Sequence, residues 1–101
     1  MSTLDPDTVD QALRERPGWS RDGDALVRRL QFPDFPAAVA FVTRVVPLAE
    51  DANHHPDLAI SYRRVEVRLS SHDVGGITDR DLALAERIDA VVEDGEDAGP
   101  R

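Results

Sequence analysis

The sequence predicts an α+β domain of order α-β-β-α-β-β-α, a four-stranded antiparallel sheet with helices packed on one face. Three observations predict it. Ala38, Phe41, Val42, Val45, Leu48 and Ala49 recur at helical spacing, the strongest periodic signal in the chain. Two stretches, Trp19 to Phe32 and Leu58 to Leu69, alternate apolar with polar residues on either side of a short turn. Thr78 followed by Asp81 resembles a capping box ahead of a last apolar stripe. A chain of 101 residues makes one domain. Residues 1–92 are expected to fold, whereas 93–101, acidic and glycine-bearing, are expected to be a disordered tail. There is no internal repeat.

In the first helix Asp5 serves as cap, Pro6 takes the first helical position, and acidic residues suit the positive end of the dipole. Val9, Ala12 and Leu13 form its apolar stripe, Arg14 and Arg16 fall in its last turn, and Pro17-Gly18 stops it. The hairpin that follows turns at Asp22-Gly23, where positive backbone angles are needed. Leu26, Leu30 and Phe32 share one face of its second strand, and Arg28 interrupts that face. Asp34 caps a helix expected over Phe35 to Ala52, with Pro36 in the first turn. Pro47 cannot donate to the carbonyl of Thr43, which predicts a kink within one helix, because the apolar stripe continues through it. Leu58, Ile60 and Tyr62 alternate, as do Val65, Val67 and Leu69, giving two strands joined near Arg63-Arg64. Asp73-Val74-Gly75-Gly76 reads as a turn, and Leu84, Ala85, Ile88 and Val91 as the buried stripe of the last helix.

Composition narrows the possible functions. Without cysteine there is no disulfide, no thiol nucleophile and no zinc–thiolate site. All twelve basic residues are Arg, so Schiff-base chemistry on a lysine is excluded. A net charge of -8 argues against a partner held mainly through phosphates, hence no nucleic acid. The N-terminus lacks a signal-peptide pattern and no apolar run reaches membrane-spanning length, so a soluble, cytoplasmic protein is expected. The core must be mainly aliphatic, since only five residues are aromatic, and burial against a partner subunit would help it.

All three histidines fall in two short stretches, Glu50-Asp51-Ala52-Asn53-His54-His55-Pro56-Asp57 and Ser70-Ser71-His72-Asp73. Histidine is the side chain whose ordinary pKa lets it move protons near neutral pH, and here it sits among carboxylates and hydroxyls. Both stretches fall at element ends, where a rigid sheet commonly holds functional groups. Neighbouring side chains on an extended backbone point in opposite directions. His54 and His55 are therefore expected to play different roles, with His72 opposing one of them across a ligand.

The ordered set Phe32-x-Asp34-Phe35, Phe41-x-x-Arg44-Val45, Ala49-Glu50, Asn53-His54-His55-Pro56-Asp57, Tyr62, Val65, Leu69-Ser70-Ser71-His72-Asp73, Gly76 and Thr78-x-Arg80-Asp81 resembles the pterin-4a-carbinolamine dehydratases, from Trp19 to about Val92. The resemblance implies removal of water from a 4a-hydroxytetrahydropterin to give the quinonoid dihydropterin, the recycling step for the cofactor of aromatic amino-acid hydroxylases. The family's three functional histidines fall on His54, His55 and His72, and its pterin-binding segments on Asn53 to His55 and on Ser70, Ser71, His72 and Asp73. Glu50 matches a carboxylate near the site. Ser71 stands where Thr is usual, Asn53 where some members carry Asp, and Leu58 where some carry Trp.

Dehydration needs a proton placed on the departing hydroxyl and one withdrawn from the neighbouring ring nitrogen, with no metal or redox cofactor. In this reading His54 and His72 are the acid–base pair and His55 positions the substrate. Glu50 and Asp73 orient the imidazoles or bond the pterin edge. The resemblance further implies a homodimer or homotetramer, with the second helix in a subunit contact if a tetramer forms, and a possible hydroxylase partner in the same pathway. Two rivals come from other classes. Some animal members of the family also act as dimerisation cofactors of a transcription factor, so a non-catalytic pterin-binding or coactivator module is one. A metal protein using His54, His55, His72, Asp73 and Glu50 is the other, although an adjacent His pair lacks the spacing of common hydrolytic zinc motifs.

Overall fold

In a computed structural model that describes residues 3–98, with side chains through Glu93, the elements follow the expected order. Helix α1 spans Pro6–Leu13, strands β1 and β2 span Trp19–Asp22 and Ala25–Gln31, and helix α2 spans Phe35–Ala52. Strands β3 and β4 span Asp57–Ser61 and Arg64–Leu69, and helix α3 spans Asp79–Ala98. Of the acidic tail expected from residue 93, residues 99–101 and the side chains from residue 94 lie outside the described residues.

Every sheet pairing is antiparallel and the strand order is β1-β2-β4-β3. The chain leaves β2, runs along α2, and returns as the edge strand β3 before β4 fills the gap beside β2. On β4 burial alternates strictly, with Val65, Val67 and Leu69 inward, as period-two patterning dictates. These residues join Leu26 from β2, Phe41 and Val45 from α2, and Leu84, Ala85 and Ile88 from α3 in one core. The last helix turns Val92 fully inward and leaves Val91 half-buried, a shift of one residue from the stripe read in the sequence.

Asp5 and Asp34 cap α1 and α2, accepting from the Thr8 amide at 2.8 Å and the Ala37 amide at 2.9 Å. The Thr8 amide bond holds the exposed Asp5 carboxyl below its ordinary pKa. Helix α1 stops at Leu13, short of Arg16, and that side chain reaches α3 instead of its own helix end. Pro47 lies inside α2 without dividing it.

Arg28 does face inward, and α3 supplies its counter-charge. Asp89 Oδ1 accepts from Arg28 Nη1 at 2.5 Å and from the Trp19 indole N–H at 2.7 Å, while Arg16 reaches Oδ2 at 3.3 Å. A buried carboxylate without such partners would be costly. Gly18 makes room for this cluster, because a Cβ there would lie 2.6 Å from Arg28 Cζ.

Candidate functional site

The two histidine stretches meet because of strand register. Asp57, the first residue of β3, pairs with Arg68 near the end of β4, so the segment entering β3 and the segment leaving β4 share one end of the sheet. Asn53 ends α2 in the left-handed conformation, φ 49°, a geometry that Asn tolerates better than most residues. The Asn53 amide donates to Glu50 O at 3.2 Å and the His54 amide to Ala49 O at 3.1 Å, closing the helix and turning the next residues in opposite senses.

His54 turns inward and is 8% exposed, while His55 stays in solvent. His54 Nε2 lies 2.5 Å from Asp81 Oδ1, and Asp81 is 0% exposed. The second carboxylate oxygen accepts from Ser71 Oγ at 2.9 Å and from the Thr78 amide at 2.9 Å. With its one hydrogen committed to Asp81, Ser71 accepts from the Thr78 hydroxyl at 2.8 Å, and Thr78 Oγ1 in turn accepts from the Arg80 amide at 3.2 Å. Three chain segments thus converge on one carboxylate in the first turn of α3, where the dipole favours negative charge. With Nε2 engaged by Asp81, Nδ1 is the ring nitrogen that does not face this carboxylate.

The remaining side chains form exposed pairs. Glu50 Oε2 lies 2.5 Å from His55 Nε2, with both side chains largely exposed. His72 Nε2 stands 3.9 Å from Asp57 Oδ2, an ion-pair distance when the ring is protonated, and both side chains are largely exposed. Asp73 bonds Arg80 Nη2 at 2.7 Å instead of an imidazole, and that bond, first among its causes, holds the carboxyl below its ordinary range. Ser70 Oγ donates to the Asp24 carbonyl at 2.8 Å, tying this end of β4 to the β1–β2 turn. Among the described residues no group of three or more His, Cys, Asp or Glu side chains is placed to hold a metal ion, and no helix is long and apolar enough to cross a membrane.

Sequence reasoning assigned Asp81 only to a local cap, and missed it as the partner of His54. The capping pattern at Thr78 and Asp81 accounts for one of its oxygens. Only the fold brings His54 to the other.

These features define an α+β domain that gathers imidazoles, carboxylates and hydroxyls, groups able to move protons, at one end of its sheet. The chain belongs to the pterin 4 alpha carbinolamine dehydratase family, whose model matches residues 2–91. A Thermomicrobium roseum protein provisionally named a pterin-4-alpha-carbinolamine dehydratase is 53% identical over 88 residues, covering 87% of this chain and 95% of its own length. The crystal structure of a transcriptional coactivator/pterin dehydratase from Brucella melitensis superposes with a TM-score of 0.84 at 32% identity, over 89% of this chain and 98% of that one. A pterin dehydratase-like RuBisCO assembly factor of the alpha-carboxysome shares the fold, with a TM-score of 0.59 at 22% identity over 72% of this chain and 84% of that one.

Proposed function

We propose that the protein is a hydro-lyase that dehydrates a 4a-hydroxytetrahydropterin, of the tetrahydrobiopterin type, to the quinonoid dihydropterin. The observation that carries the reading is the buried His54–Asp81 pair, whose histidine belongs to a segment that the family resemblance assigns to pterin. A carboxylate fixed on Nε2 holds the imidazole in one orientation and stabilises the imidazolium formed when Nδ1 takes a proton. His54 withdraws the ring-nitrogen proton while His72, exposed on the neighbouring loop, protonates the departing hydroxyl; the opposite assignment uses the same two groups. His55, held by Glu50, positions the pterin, with Asn53, Ser70 and Asp73 along its polar edge. Ser71 contributes by holding Asp81.

The test follows dehydration of enzymatically generated 4a-hydroxytetrahydropterin by absorbance, against its spontaneous loss of water. Acceleration that disappears in His54→Ala supports the reading. A rate equal to the uncatalysed background at micromolar protein rejects it. A second reading, a pterin-binding or coactivator module without turnover, draws support from the description of the Brucella structure as both coactivator and dehydratase. Pterin binding by calorimetry without acceleration would favour it.

The homo-oligomer expected above remains a proposal, now supported by three exposed apolar residues, Phe35, Val39 and Val46, on the long helix α2. Sedimentation at micromolar concentration tests it, and a monomeric mass would reject it.

A further inference from the structure

The loop from β4 to α3 carries His72 at its outer turn. Within the loop the Ser71 amide donates to Gly76 O at 2.8 Å, and Ser71 O receives the amides of Val74, Gly75 and Gly76 at 3.1, 2.9 and 3.3 Å. The His72 side chain is 75% exposed, and its Nε2 stands 3.9 Å from Asp57 Oδ2. Among the described residues no close side-chain hydrogen bond aims this imidazole, so its direction follows from the loop backbone.

The segment ahead of α1 crosses that loop. The Leu4 amide donates to Ile77 O at 2.8 Å. Thr3 lies directly on the buried Gly76, where a Cβ would come within 2.8 Å of Thr3 Cγ2 and 3.4 Å of Thr3 Cβ. The segment is itself anchored, because α1 follows at once and buries Val9 in the core. Arg80 pins the other side of the loop through Asp73 at 2.7 Å.

We infer that Thr3 and Leu4 form a strap across the β4–α3 loop, and that through Gly76 and Ile77 they act as positioning residues for His72. The inference rests on the reading of His72 as an acid–base group. A strap of this kind selects one loop arrangement among several. Losing about one net backbone hydrogen bond lowers the ratio of the competent arrangement to the others by about 2- to 10-fold, and its population by up to that factor. Because His72 acts in the transition state, the loss falls on kcat and leaves KM nearly unchanged.

The test uses the full chain. Gly76→Ala places a methyl against Thr3 Cγ2 at a position whose backbone accepts an L side chain, so the contact must give way, and the strap is expected to loosen. Thr3→Ser removes that Cγ2 methyl and does not alter the Leu4 amide bond to Ile77 O. In Gly76→Ala the expected result is kcat lower by about 2- to 10-fold with KM unchanged, and faster amide exchange at Leu4, Val74 and Gly75. Thr3→Ser combined with Gly76→Ala restores both readouts. Unaltered exchange and turnover in Gly76→Ala, or a loss that persists in the double variant, overturns the strap. Should the unmodified protein fail to dehydrate the carbinolamine, the acid–base reading falls by itself. The strap is then decided by exchange alone: acceleration in Gly76→Ala that the double variant reverses supports it, and any other pattern rejects it.

Discussion

His54 Nε2 and Asp81 Oδ1 stand 2.5 Å apart although 27 positions separate them in the chain. One residue follows the end of α2 and the other lies in the first turn of α3, so the distance fixes how those two helices meet at the end of the sheet. In the proposed reaction the carboxylate also selects the nitrogen through which His54 reacts.

Replacing Asp81 by Asn tests that selection. An amide in the same place keeps an acceptor for Ser71 and the Thr78 amide, but turns an N–H toward His54 Nε2 and forces the ring proton onto Nδ1. Turnover is expected to fall by about 10²-fold or more, the range of a lost acid–base group. Nitrogen-15 chemical shifts of the ring should report the altered tautomer in the folded variant. Full activity with an unchanged tautomer would remove Asp81 from the mechanism.

The three histidines should separate in kinetics. His54→Ala and His72→Ala are expected to lower kcat chiefly, and His55→Ala to raise KM chiefly, since a group holding substrate equally in both states affects apparent affinity. The two kcat losses should combine less than additively, because breaking either end of a proton relay already stops it. Retention of full turnover by His72→Ala at saturating pterin would disprove the pairing of the two segments across one substrate.

Asp73 supplies the pH prediction. Its carboxyl is held below the ordinary range by the Arg80 hydrogen bond, so the favourable term is fully present above the unfolded value. That term is lost only as pH falls through the lower folded value. Carbon-13 titration of the Asp73 carboxyl should therefore give a lower midpoint in the native protein than in Arg80→Gln. Equal midpoints would mean that the pair does not persist in solution.

On the fold side, Asp89→Ala leaves the buried Trp19 indole and the half-buried Arg28 without their acceptor, and should destabilise the protein by about 3 kcal/mol. Asp89→Asn, which retains an acceptor for Trp19, should cost less. Urea unfolding followed by the fluorescence of Trp19 measures both. A loss under about 1 kcal/mol for the Ala variant would show that solvent compensates the cluster.

The elements legible in the sequence are those written in local pattern. Asp5-Pro6 and Asp34 announce helix starts, Gly23 marks the first turn, and the alternation in Val65, Val67 and Leu69 fixes which face of β4 is buried. The separation of His54 from His55 was legible too, because two adjacent side chains cannot share a direction. What local pattern conceals is the identity of distant partners. Asp81 and Asp89 look like ordinary acidic residues of a helix, and no spacing rule ties them to His54 or to Trp19 and Arg28. Their roles exist only once α3 is laid across the sheet. The ion pair of Asp73 is hidden in the same way, because its partner Arg80 belongs to the first turn of the next element.

Asp81 and Asp89 both lie on the inward side of α3, eight residues apart, about 12 Å along the axis. One engages an imidazole of the candidate site and the other neutralises a guanidinium of the scaffold. The helix therefore works as a gauge with two fixed marks. Inserting one residue between them would swing one mark by about 100° and slide it about 1.5 Å, so both seats cannot be filled together. Changes in the length of this segment should be far less tolerable than changes of its outward side chains, and natural length variation in α3 should lie beyond Asp89.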